Sequence, residues 1–119
     1  MGIILVAQLV ASIPGSTHAE WAMLDQRYQD CGLRTVYIDP QSITRGEHDL
    51  GAVSVLTDWA VMQGGRSPTR FFSTIVRKEV DCPNKLVRLA TFADYFGHMG
   101  TGKQIAGGKG TGSWHPVEA

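Results

Sequence analysis

Between Gly51 and Gln63 the apolar residues Val53, Val55, Trp59 and Val61 fall on alternate positions, with Ser54 and Asp58 on the other face. A period of two is the pattern of a strand with one face on a core and the other toward water. The same pattern predicts a long hairpin with arms 69–80 and 85–96, joined through Asp81-Cys82-Pro83-Asn84. With Pro83-Asn84 at the loop centre, Val80 faces Val87, Lys78 faces Leu89, and Glu79 faces Arg88 as an opposite-charge cross-strand pair. One face of the hairpin then collects Phe72, Val76, Val80, Val87, Leu89 and Tyr95, a set that fits packing on a core. Unprimed turns suit tight hairpins poorly, so a longer loop is equally compatible with these residues.

The remaining segments are shorter. Residues 20–24 read as a first strand, and Asp30-Cys31-Gly32 turns the chain into a second at 35–39. Asp39-Pro40-Gln41-Ser42 has turn chemistry, with Pro at a position that presets φ. Residues 45–49 are a polar loop, and Gln63-Gly64-Gly65-Arg66-Ser67-Pro68 ends the strand that contains Trp59. From Gly97 to Gly112 there are seven glycines, with short strands expected at 103–106 and 113–117. No amphipathic helical period occurs after residue 19. The expected fold is mainly β: a single antiparallel meander sheet of about five to seven strands, formed by one domain over residues 20–119.

Charge changes the picture at the N-terminus. All Asp, Glu, Lys and Arg residues lie at or beyond Glu20, and residues 3–13 are apolar except for Gln8 and Ser12. Pro14-Gly15 breaks the run, and Thr17-His18-Ala19 offers small residues at the −3 and −1 positions of a cleavage site. Residues 1–19 therefore read as a secretory signal peptide, incomplete at its N-terminus because no Lys or Arg precedes the apolar run. About a dozen apolar residues fall short of the ~20 that span a bilayer, and no cysteine follows them to carry a lipid. The expectation is soluble release into the periplasm or the medium, with no stable membrane anchor after cleavage.

The chain has 119 residues, enough for one core. Lys+Arg and Asp+Glu are equal at 11 each, so no overall field draws the protein to nucleic acid or an acidic membrane. Two cysteines in an exported chain suggest a disulfide between Cys31 and Cys82. In the chain-entropy model such a bridge contributes on the order of 4 kcal/mol. Two separate thiols are the alternative.

Candidate chemistry is sparse. Residues 97–103 place a glycine, four residues, Gly102 and Lys103 at phosphate-loop spacing, but Gln104 stands where a hydroxyl should reach magnesium, and Ile105-Ala106-Gly107-Gly108 cannot open a helix. A glycine-rich turn between strands is the expected role. His48, His98 and His115 have no metal-binding spacing, so no metal or cofactor is expected. Ser, His and Asp are present without a strand-turn-helix elbow to present a nucleophile, which leaves a small exported hydrolase as a minor alternative to a non-enzymatic protein. Arg66, Arg70, Arg77, Lys78, Lys85 and Arg88 concentrate positive charge on the hairpin against Glu79 and Asp81. Of these, Arg70, Arg77, Lys78, Lys85 and Arg88 are the candidate residues for a protein or polyanionic partner. The alternative is a solvated edge that discourages aggregation. Stacked-base recognition would need exposed aromatics among these charges, and Phe71, Phe72 and Phe92 are as easily core residues.

The order of motifs resembles the surface-adhesin protein E-like family of bacterial exported proteins. The residues that carry the resemblance are Trp21, Val36-Tyr37-Ile38-Asp39 with Ser42-Ile43, Leu56-Thr57-Asp58, Asp81-Cys82, Arg88, Met99-Gly100-x-Gly102 and Trp114-x-Pro116. The resemblance implies an exported antiparallel sheet domain, and its named member is an adhesin for host extracellular-matrix proteins. Relatives often continue into a C-terminal helix that packs on the sheet and can carry a cysteine, whereas this chain stops at Ala119; the expected lipid anchor is also absent. The first departure leaves Cys82 to pair with Cys31 or nothing and opens one sheet face to a second subunit, giving a structural role through homodimerisation as the main alternative to partner binding.

Overall fold

The computed structural model describes residues 20–24, 32–66 and 68–117. The expected leader, residues 1–19, and Cys31 lie outside the described residues. Seven strands form one antiparallel sheet: β1 Ala22–Met23, β2 Arg34–Arg45, β3 Leu50–Gln63, β4 Phe71–Asp81, β5 Leu86–Tyr95, β6 Gln104–Lys109 and β7 His115–Pro116. Each of the first six strands lies beside the next in sequence, as short connections between antiparallel strands require. The outer edge of β5 is shared: β6 takes Thr91 to Tyr95, and β7 takes Leu86 and Val87. The expected meander is the fold.

The central hairpin has the expected register, with Val80 opposite Val87, Lys78 opposite Leu89 and Glu79 opposite Arg88. Pairing runs one step further, to Asp81 and Leu86, leaving residues 82–85 as a four-residue loop. The Lys85 N–H donates to the Cys82 carbonyl at 3.2 Å, and Lys85 closes the loop with φ +56°. Asp81 accepts from the Asn84 backbone N–H at 3.3 Å and from its side-chain amide at 3.0 Å.

Three features depart from the sequence pattern. Between Arg77 and Lys78 the register of β4 on β5 shifts, because Arg77 opposes Thr91 while Lys78 opposes Leu89, so Ala90 is an extra residue. Such a bulge reverses the alternation beyond it. Tyr95 consequently opposes Ser73 and leaves the face of Val87 and Leu89, and Phe92, opposite Val76, joins that face.

The second departure is in β2, where Asp39-Pro40-Gln41-Ser42 forms an irregular stretch inside the strand and not a reversal. Its turn chemistry is used locally. Asp39 Oδ1 accepts from the Gln41 N–H at 3.0 Å, and the Ser42 hydroxyl donates to the Asp39 carbonyl at 2.6 Å and accepts from the Ser54 N–H at 2.8 Å. Pro40 is tolerated because β1 pairs only with Tyr37 and Ile38, so no ladder bond is asked of it there. The reversal comes later, at the 3-10 turn Glu47–Asp49.

The third departure concerns the core. One row across the sheet is Tyr37, Leu56, Ile75 and Ala93. Leu56, in this row, and Ser73, on the same face, are the fully buried side chains among the described residues. The opposite face carries Val36 and Ile38 from β2, Val53, Val55 and Trp59 from β3, Val76 and Val80 from β4, and Val87, Leu89 and Phe92 from β5. None of these is fully buried. The face expected to pack on a core is thus half-exposed, because the His98–Gly100 turn, the element packed on the sheet, lies on the Leu56 side.

Candidate binding surface

The polar groups of the Leu56 side satisfy one another through the glycine-rich segment. Residues 98–100 form a 3-10 turn in which Met99 and Gly100 have φ of +56° and +74°. The Ser73 hydroxyl donates to the Gly97 carbonyl at 2.6 Å and accepts from the Gly100 N–H at 2.8 Å. Asp58 accepts from the Met99 N–H at 2.8 Å and lies 3.2 Å from His98 Nδ1. The His98 ring packs against Phe72 with centroids 4.5 Å apart. Glycine is needed at 100, since a Cβ there would stand 2.8 Å from Ile75 Cδ1 on a backbone that side chains rarely adopt.

This clasp answers two questions raised by the sequence. The backbone N–H groups of Met99 and Gly100 are taken by Asp58 and Ser73, so they do not cradle a phosphate. Asp58, Ser73 and His98 are neighbours, yet Ser73 is fully buried and its hydroxyl is bound to Gly97 and Gly100, not to the imidazole. A nucleophile would need a base within reach and an open side. Sequence reasoning missed the cluster because the hydrogen bonds that hold it join residues 24 to 41 positions apart. Its one local signal is the series of glycines at 97, 100 and 102.

The basic residues of the hairpin are divided. Arg77 and Arg88 lie on the Leu56 side. Arg77 Nη1 donates to Ser54 Oγ at 3.0 Å and Nη2 to Thr44 Oγ1 at 3.2 Å, which ties β2, β3 and β4 together. Arg88 Nε meets Glu79 Oε1 at 2.6 Å, and its guanidinium lies 4.3 Å from the centroid of a Trp114 ring. Lys78 is exposed on the opposite face beside Val53, and Lys85 is exposed in the 82–85 loop. Arg70, the residue before β4, lies 5.8 Å from the Phe96 ring centroid. Hence the structure brings together only Arg77 and Arg88 of the candidate residues. Arg88 is neutralised by Glu79; among the described residues Arg77 has hydroxyl partners and no carboxylate.

Cys82 is exposed in the same loop. Its expected partner, Cys31, is among the residues not described. Near this loop the apolar face is concave, enclosing about 310 Å³ against Ile38, Ile43, Val53, Val80 and Cys82. His48, His98 and His115 are scattered, and no cluster of three or more His, Cys, Asp or Glu residues suited to a metal occurs among the described residues.

The sequence profile of the family described as surface-adhesin protein E matches residues 21–119, which includes all seven strands. The chain belongs to the surface-adhesin protein E family. No curated protein matches it. The motifs that carry the family resemblance are now placed: Leu56-Thr57-Asp58 and Met99-Gly100-x-Gly102 meet in the clasp. Arg88 and Trp114-x-Pro116 meet where β7 joins β5. Ser42 fastens the irregular part of β2 to β3. In this chain these surface-adhesin protein E motifs hold the sheet together. Among the described residues no helix is long and apolar enough to cross a membrane.

Proposed function

We propose that this chain is an exported, non-enzymatic, adhesin-like domain that recognises an acidic protein surface through the Arg77 side of its sheet. Membership of the surface-adhesin protein E family supports the adhesin-like role, and the uncharged apolar leader supports export. The observation that carries the choice of surface is Arg77. Two hydroxyls on neighbouring strands hold its guanidinium in place, and no described carboxylate neutralises it. A fixed guanidinium binds a carboxylate with little further loss of side-chain freedom. Arg88 and Trp114 extend the same surface, with the guanidinium over the indole ring. Lys85 at the loop end adds long-range attraction, and Arg70 and Lys78 lie outside the contact.

The test is surface plasmon resonance of the purified chain against extracellular-matrix proteins and fractionated periplasmic extract. Saturable binding that weakens with salt is expected. Arg77→Ala should reduce affinity by about tenfold, as expected for a lost charge-assisted contact, whereas Arg70→Ala should leave it unchanged. Absence of any saturable protein partner, or equal loss in both variants, would remove this reading. Binding of sulfated polysaccharide in preference to every protein would redirect it to a polyanion.

A further inference from the structure

Arg77 has company along its own row. The register sets Ser54, Arg77, Thr91 and Lys109 side by side across β3 to β6, on the Leu56 side of the sheet. Thr91 and Lys109 are exposed, and among the described residues Lys109 has no ion pair. Ile105 is an extra residue in β6, and past it the Gln104 side-chain amide lies over Gly107, where an added Cβ would stand 2.5 Å from Nε2. Asp39, opposite Ser54, ends the row on β2, with its carboxylate accepting from the Gln41 N–H. The row is thus cationic and hydroxyl-bearing from β3 to β6 and acidic at its β2 end alone. Raised elements flank it. On one side Gly100 stands against Ile75 and Leu56; on the other Arg88 binds Glu79 and lies against Trp114. Along β4 these walls are centred on Ile75 and Glu79, a gap of about 13 Å that their side chains narrow. A helix about 10 Å across does not fit between them, whereas one extended chain does.

We infer that this trough receives an extended acidic segment of the protein partner, laid across the strands with one carboxylate on Arg77 and a second on Lys109. The inference rests on the Arg77 reading given above and adds to it a second anchor and a spacing. Ser54 and Thr44 draw the Arg77 guanidinium back over β3. Lys109 is three strands away from there, about 14 Å at ordinary strand spacing. In an extended chain the side chains of one face recur about every 7 Å, so positions i and i+4 span that distance while i+2 faces the Thr91 hydroxyl. Charge selects the occupant. Two cations without described carboxylate partners match two anions of the ligand, and Asp39 repels an acidic residue placed beyond β3.

Nuclear magnetic resonance titration of the isotope-labelled chain tests this with two synthetic peptides of equal charge, acetyl-Glu-Ser-Thr-Ser-Glu-amide and acetyl-Glu-Glu-Ser-Thr-Ser-amide. The spaced peptide should shift the amide signals of Thr91, Gly107 and Lys109 and bind about threefold more tightly than the adjacent one, as expected for one further exposed ion contact. Lys109→Ala should remove that preference with the rest of the spectrum unchanged, and Lys109→Arg should keep it. Arg77→Ala should weaken both peptides. Equal affinity of the parent for the two peptides, or no saturable shift with either, would overturn the inference. So would displacement of both by a sulfated disaccharide at lower concentration. If Arg77→Ala weakens the spaced peptide and Lys109→Ala does not, the second anchor is wrong and the Arg77 reading stands. If Lys109→Ala weakens it and Arg77→Ala does not, both are wrong.

Discussion

Leu56 and Val55 are adjacent residues of one strand with opposite circumstances. Leu56 is fully buried beneath the His98–Gly100 clasp, and Val55 looks out from the middle of an open apolar row. Around Leu56 the polar atoms of Asp58 and Ser73 are bound to backbone groups of the clasp, so that side is finished within a single chain. Around Val55 the neighbours are apolar and no described element lies over them. The comparison separates two tasks usually met together in a small domain. One side of the sheet carries the fully buried side chains, and no described element covers the other.

The largest test of this contrast is Leu56→Ala against Val55→Ala. Removing a buried leucine side chain should cost about 3 kcal/mol of unfolding free energy, because the surroundings leave a cavity. The same measurement by urea denaturation should give about 1 kcal/mol for Val55→Ala, where water fills the gap. Equal losses would break the distinction between the faces. Ser73→Ala comes next, at about 2 kcal/mol, since it leaves the Gly97 carbonyl and the Gly100 N–H without their partner in a buried site. Arg88→Ala should cost about 1 kcal/mol, for a partly exposed ion pair with Glu79 and a stack on Trp114. Lys85→Gly is the smallest, a gain of a few tenths of a kcal/mol, because glycine adopts φ +56° without strain while loosening the unfolded chain.

What was legible in the sequence followed from local rules. The hairpin register was readable because Pro83-Asn84 marks the loop and a period of two sets the rest, and residues 97–103 were readable as a turn from their glycines. Ala90 was not readable as a bulge: nothing in Leu89-Ala90-Thr91 distinguishes a paired residue from an extra one, so Tyr95 and Phe92 exchanged faces. The turn chemistry of Asp39-Pro40-Gln41-Ser42 was readable, but not its place inside a strand, because such short-range hydrogen bonds occur in turns and bulges alike. The deciding contact, Ser42 to the Ser54 N–H, is 12 residues away. The basic stripe was counted along the chain, although alternation already places Arg77 and Lys78 on opposite sides. The role of Arg77 depended on Ser54 and Thr44 meeting it from two other strands, a condition set by tertiary register.

The bulge at Ala90 also gives β5 a length allowance. On either side of it the partners are already consecutive on β4, Arg77 with Thr91 and Lys78 with Leu89, so excising Ala90 would splice two runs that are in step. Its carbonyl accepts the Gly110 N–H at 2.8 Å, where β6 has ended and β7 has not begun, so the slack sits at the seam between the two strands that share this edge. Two or three residues further on there is no such margin. Losing Ala93 would force a choice between mispairing Asp94 and Tyr95 and drawing Phe92 into the row of Leu56 and Ile75, under a turn that already leaves no room for a methyl group at Gly100. The length of β5 should therefore be negotiable at Ala90 and fixed three residues away, at Ala93.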